Sequence, residues 1–186
     1  SKNRKRVLIV DATGIVVFGN KFQFAKKGYF PKKIGNKGYQ VSLGVLLKDY
    51  PKISSLFLDP ANIALDLQLW DTIYQTADIL GGLEYISLVI GDAIYGVDKH
   101  ITDFIEFGIP FLLKGKNSKT AFHLAKTFSY DDYYYINPTT QVAEYGPIPI
   151  KNSPYNIRTV IIKKIDAKGN TIFNHIFTSI PKQHLS

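Results

Sequence analysis

Neither cysteine nor methionine occurs anywhere in these 186 residues. Without cysteine there is no disulfide framework and no thiolate metal site, a usage compatible with the cytosol. The lack of methionine, with Ser1 as first residue, fits a piece excised from a longer protein. The four histidines, His100, His123, His175 and His184, show no paired spacing, which argues against zinc. No apolar run approaches the ~18 residues of a membrane span. The basic start "SKNRKR" leads into only four apolar residues, too few for a signal sequence.

Acids are also scarce, and unevenly so. Residues 1 to 37 carry ten Lys and Arg against one acid, Asp11, whereas residues 49 to 106 hold ten of the fifteen acids. The net charge is +8. So one-sided a segment points to a polyanion, with nucleic acid the leading candidate; the alternative is a solvated surface. What is abundant is apolar and aromatic: 45% hydrophobic residues, with 12 Phe and 12 Tyr. That is enough to bury a sizeable core in one domain with an inserted lobe.

The pattern along the chain is α/β. "VLIV" (7–10) reads as a buried strand, and "TGIVVFGNK" as a second strand after a turn, the two forming a hairpin. A basic, Gly-rich loop from Lys21 to Gly38 precedes a third strand, "YQVSLGVLL". A helix follows in "NIALDLQLWDTIYQTADIL", with Asn62 as N-cap, Ile63, Leu67, Trp70, Ile73, Tyr74 and Ala77 on its apolar face, and Gly81-Gly82 as its stop. "YISLVIGD", "GVDKHITDFIEFG" and "IPFLLKGK" continue as strand, helix and fifth strand. The prediction is a mixed five-stranded sheet with flanking helices over residues 1–117. From about residue 118 the turns at Asn137-Pro138, Gly146-Pro147 and Ser153-Pro154 predict an all-β lobe, residues 118–186. Within it, "IRTVIIKKI" and "TIFNHIFTSI" form a hairpin around Asp166 to Asn170.

Two carboxylates end buried strands: Asp11 the first, Asp92 the fourth. A carboxylate there is costly to desolvate unless paired. If the two strands are parallel neighbours, both acids emerge at one sheet edge, where a shared Mg²⁺ or Mn²⁺ relieves their repulsion. Such a pair supports two-metal phosphoryl transfer. Taken singly, each Asp reads as a turn cap.

These residues resemble a known family. "DATGIVVFGNKFQFAKKGYFPKKIGNKGYQVSLGVLL", "LDPANIALD", "VIGDAIYG" and "GIPFLLKGK" are similar to the catalytic core of prokaryotic insertion-sequence DDE transposases. The resemblance implies a ribonuclease H-like fold with a β-rich insertion, and metal-dependent DNA cleavage and strand transfer. It makes Asp11 and Asp92 the catalytic and metal-binding acids, with two Mg²⁺ or Mn²⁺ ions in the complete site. It also implies double-stranded DNA (transposon ends and target) as partner, an oligomer in the full-length protein, no membrane, and a cytoplasmic, DNA-associated location. Ile94 stands where the family has Gly before an aromatic, here Tyr95.

The third acid of the triad departs further. The family's Tyr-x-x-Arg-x-x-x-Glu context is met by Tyr155 and Arg158, but Ile162 replaces Glu, and the stretch alternates like a strand. The third carboxylate is therefore expected beyond residue 186, leaving this fragment inactive; Glu144 is the weak alternative within the chain. For DNA, Lys26, Lys27, Lys32, Lys33 and Lys37 interleave with Tyr29, Phe30 and Tyr39, a pattern suited to phosphates and unpaired bases.

Two rivals stand beside this reading. "DATGIV" also resembles the nucleophile loop of haloacid-dehalogenase-like phosphotransferases, with Asp11 as covalent nucleophile. Five residues between Asp92 and Asp98 exceed the spacing of that family's metal motif, and the basic segment has no role there. The other rival is a degenerate core that only binds DNA.

Overall fold

A computed structural model of the protein describes residues 6–19, 21–28, 30, 36–47, 50–116, 118–128 and 132–181. The chain forms two compact units, Ser1–Ile90 and Gly91–Ser186.

In the first unit, β1 (Arg6–Val16) and β3 (Lys37–Leu47) pair antiparallel along ten residues, from Val7↔Leu47 to Val16↔Gly38. β2 (Lys26–Lys27) adds a two-residue rung to β3, and β4 (Lys52–Pro60) pairs antiparallel with the rest of it. β5 (Ile86–Gly91) lies next to β1. Two sequence expectations change here. β1 is one continuous strand rather than a hairpin, because Thr13 and Gly14 pair with Val41 and Gln40 instead of turning. Gly14 serves packing: a Cβ there would stand 2.6 Å from the Phe30 ring, which is buried in the core. β4 was not anticipated, because it runs against the usual alternation, burying Ser54 and Ser55 while Leu56 and Leu58 face solvent.

The helix begins later than its pattern suggests. A 3₁₀ turn, Leu65–Gln68, leads into α1 (Leu69–Leu80), and Asn62 caps neither. α1 buries Leu69, Thr72, Ile73, Thr76 and Ala77, so its inner face is rotated from the expected one, and Leu67 and Tyr74 are exposed. Hydroxyls explain the rotation. Thr76 Oγ1 donates to the Thr72 carbonyl and meets Ser54 Oγ at 2.8 Å, while Ser54 Oγ donates to the Gly44 carbonyl. Buried hydroxyls are stable when satisfied in this way, and small residues bring helix and sheet close. Gly81 ends α1 with φ 92°, a left-handed cap suited to glycine.

The second unit holds α2 (Asp98–Glu106), β6 (Phe111–Lys114), α3 (Ser118–Ala125) and the strands β7 (Tyr134–Asn137), β8 (Thr140–Pro149), β9 (Asn156–Ile165) and β10 (Thr171–Thr178). β6 pairs with β10, and β10, β9, β8 and β7 follow as an antiparallel meander. The segment from residue 118 is thus β-rich but not all-β, since α3 opens it. Phe104 packs tilted against Phe111, with centroids 5.2 Å apart, and Ile101, Leu113, Val142 and Ile161 are buried in the same unit. The hairpin around Asp166 forms as its sequence predicts. Asp166 Oδ1 accepts the N–H groups of Lys168 and Asn170, and Gly169 takes the left-handed φ of 82°. Those bonds, the Asn170 backbone N–H first, hold the Asp166 carboxyl below its ordinary pKa.

Candidate catalytic carboxylates and nucleic-acid interface

Along β1, Leu8 and Val10 are buried and Asp11 is exposed. Asp11 lies where the strand emerges from the core, opposite Leu43, and the strand continues five residues beyond it. Its Oδ1 accepts the N–H of Ala12 at 2.8 Å. The desolvation cost that motivated a partner for Asp11 is therefore absent, because the side chain never leaves water.

Asp92 is the first residue after β5 and is also exposed. Its carbonyl accepts the N–H of Tyr95, closing a turn whose Tyr95 ring is fully buried. Gly96 follows, packed so close to the Lys114 carbonyl that no Cβ fits. This turn seats Asp92 beside the end of β6, and Lys114 Nζ lies 3.4 Å from Asp92 Oδ1. An ammonium at that oxygen shows that it attracts cations. Two exposed carboxylates are hard oxygen donors suited to Mg²⁺ or Mn²⁺. Among the described residues, no three His, Asp or Glu side chains gather closely enough to hold an ion.

Glu144 sits on β8 opposite Val160, with Arg158 Nε donating to its Oε1 at 2.6 Å. Arg158 also donates from Nη1 to the Ile180 carbonyl, and both side chains are largely buried. Tyr155 precedes β9, and Arg158 and Ile162 lie on it, so the alternation seen in sequence does mark a strand.

The basic segment is partly described. Lys26 and Lys27 are exposed on β2, and Lys27 pairs across the ladder with Lys37, also exposed. Like charges directly opposite destabilise a ladder, so the ribbon is a site of concentrated positive charge. Lys32, Lys33 and Tyr29 lie outside the described residues. Phe30 is 3% exposed and cannot meet a base. The exposed aromatics of this region are instead Phe18, Phe22 and Phe24, which the sequence pattern did not single out. Along β7, Tyr134, Tyr135 and Ile136 are exposed.

An antiparallel three-strand start and a helical connection to a strand beside β1 give an α/β core. The family model for the transposase DDE domain matches residues 2–186. The chain belongs to that family, and its architecture is ribonuclease H-like. Comparison with curated proteins gives no match. The family is one of DNA-acting transposases, and among the described residues no helix is long and apolar enough to cross a membrane.

Proposed function

We propose that this chain is the catalytic core of an insertion-sequence transposase that cleaves and rejoins double-stranded DNA, with Asp11 and Asp92 as its first two catalytic carboxylates. The observation that carries the reading is the family match across residues 2–186, with exposed acids on β1 and directly after its neighbour β5. In this reading the two Asp hold Mg²⁺ or Mn²⁺, which would activate the attacking oxygen and stabilise the leaving one. The exposed carboxylates bind and orient the ions; Lys26, Lys27, Lys32, Lys33 and Lys37 neutralise DNA phosphates and set the duplex on the core. Residues 1–117 form the catalytic core and 118–186 the inserted lobe, and the working assembly on two transposon ends is an oligomer. Glu144 has a structural role, because Arg158 already engages it. The family match lends nothing to a haloacid-dehalogenase-like phosphotransferase.

The test is Mn²⁺ binding by proton relaxation, with Asp11→Asn and Asp92→Asn as variants. Each should lose the site while keeping its melting temperature. Unchanged Mn²⁺ binding in both variants sends the site elsewhere, and phosphate trapped covalently on Asp11 replaces the transposase reading with the phosphotransferase one.

A further inference from the structure

The loop between β1 and β2 exposes aromatic rings where a folded chain gains nothing from doing so. Phe22 is 49% exposed and Phe24 78% exposed. Phe24 also has φ of +60°, a left-handed conformation that bulky residues rarely adopt. A glycine or asparagine would take this turn with less strain. The turn is nonetheless held: the Tyr39 hydroxyl donates to the Gln23 carbonyl, and the Lys26↔Gly38 and Lys27↔Lys37 pairs fix the strand that follows. The result is a braced turn that presents a phenyl ring to solvent, two residues before a pair of exposed lysines.

Flat apolar faces next to flexible cations suit one kind of occupant: unpaired nucleotides, whose bases stack while their phosphates meet ammonium groups. Lys21, Lys26 and Lys27 lie beside these rings in sequence, all exposed, and with Phe18 also exposed this mixture of cations and rings favours a polyanion that carries aromatic faces over an apolar protein surface. Duplex DNA would satisfy the lysines but offer the rings no free base face. We propose that Phe22 and Phe24 form a stacking platform for unpaired bases of the DNA substrate, with Lys26 and Lys27 holding the adjacent phosphates. The platform rests on the reading of DNA as substrate, and adds that part of that DNA is single-stranded when bound.

The test compares fluorescein-labelled oligo-dT and a duplex of equal length by anisotropy, using the full chain. Phe22→Ala/Phe24→Ala should weaken single-strand binding about tenfold or more, with duplex affinity and salt slope unchanged. Phe24→Trp should restore it, and 2-aminopurine in the oligomer should be quenched by the native chain but not by the double variant. Equal single-strand affinity in native and double-variant protein overturns the platform. Loss on Tyr134→Ala/Tyr135→Ala instead moves it to β7. Wild type that binds duplex but no single strand also overturns the platform while leaving the proposed function standing; binding of neither form removes both.

Discussion

Lys114 Nζ lies 3.4 Å from Asp92 Oδ1, with both side chains about half exposed. An exposed ion pair of this kind contributes roughly 0–1 kcal/mol, so it is a poor reason for the fold to keep a lysine there. It does place a monovalent cation on the oxygen proposed to take a divalent one. Lys114→Gln should therefore raise Mn²⁺ affinity about two- to fivefold at low salt, a gain that shrinks as salt screens the competitor. Stability should change by less than ~0.5 kcal/mol. Relaxation titration and a urea melt read the two quantities; weaker Mn²⁺ binding would mean that Lys114 holds Asp92 in place instead of competing for it.

His175 supplies a pH dependence. Its side chain is buried on β10 against Gly115, Phe177 packs edge-on at 4.9 Å, and Nδ1 has no hydrogen-bond partner among the described residues. Burial disfavours the imidazolium and lowers the pKa from the ordinary 6.5. The unfolded chain then binds a proton that the folded chain refuses. Stability is fully present above pH 6.5 and falls as pH drops below that value, by at most ~1.4 kcal/mol per unit, until the folded group also protonates. Urea unfolding at several pH values should show this fall, and His175→Phe should flatten it. An unchanged slope in that variant would assign the dependence to another group.

Parts of the molecule were legible because one local rule sufficed. The Asp166 turn, the Gly81 stop, the β5 strand ending just before Asp92 and the α2 helix each follow from turn chemistry or periodicity alone. What stayed hidden depended on partners distant in sequence. β4 buries Ser54 because α1 offers the Thr76 hydroxyl as a hydrogen-bonding neighbour, an inversion that no single-strand pattern reveals. Gly14 looked like a turn because nothing in its neighbourhood announces that Phe30 needs the space. The same contact took Phe30 out of the basic interface. Phe22 and Phe24 escaped notice because exposure of an aromatic side chain is not written in its own sequence. The place of Asp92 after its strand could be read from the sequence, but the run of β1 past Asp11, the freedom of Asp11 from burial and the Lys114 contact could not.

Glu144 separates structure from chemistry. Its bond to Arg158 lies between adjacent strands, with 15% of the Arg158 side chain exposed and 25% of the Glu144 side chain. Removing one partner leaves the other charge poorly solvated, so Glu144→Gln should cost about 1–3 kcal/mol in urea unfolding. Mn²⁺ affinity should be unchanged. A variant of native stability that loses Mn²⁺ would make Glu144 the third metal-binding carboxylate after all.

The basic arm makes the last prediction, and salt reads it more cleanly than affinity does. Every phosphate neutralised by a lysine releases counterions, contributing about −0.9 to the slope of log K against log salt for duplex DNA. Replacing Lys26, Lys27, Lys32 and Lys33 with Gln should flatten that slope by up to ~3 to 4 units. Lys26 and Lys27 are exposed and contribute little to folding, and relief of the Lys27–Lys37 opposition should leave the melting temperature level or slightly higher. Asp11→Asn should keep the native slope and bind DNA as well or slightly better, since it removes a negative charge facing the phosphates. Duplex titrations between low and moderate salt distinguish the two variants. An unaltered slope in the quadruple variant would make the arm a solvated loop and pass the DNA contact to the basic run from Lys2 to Arg6.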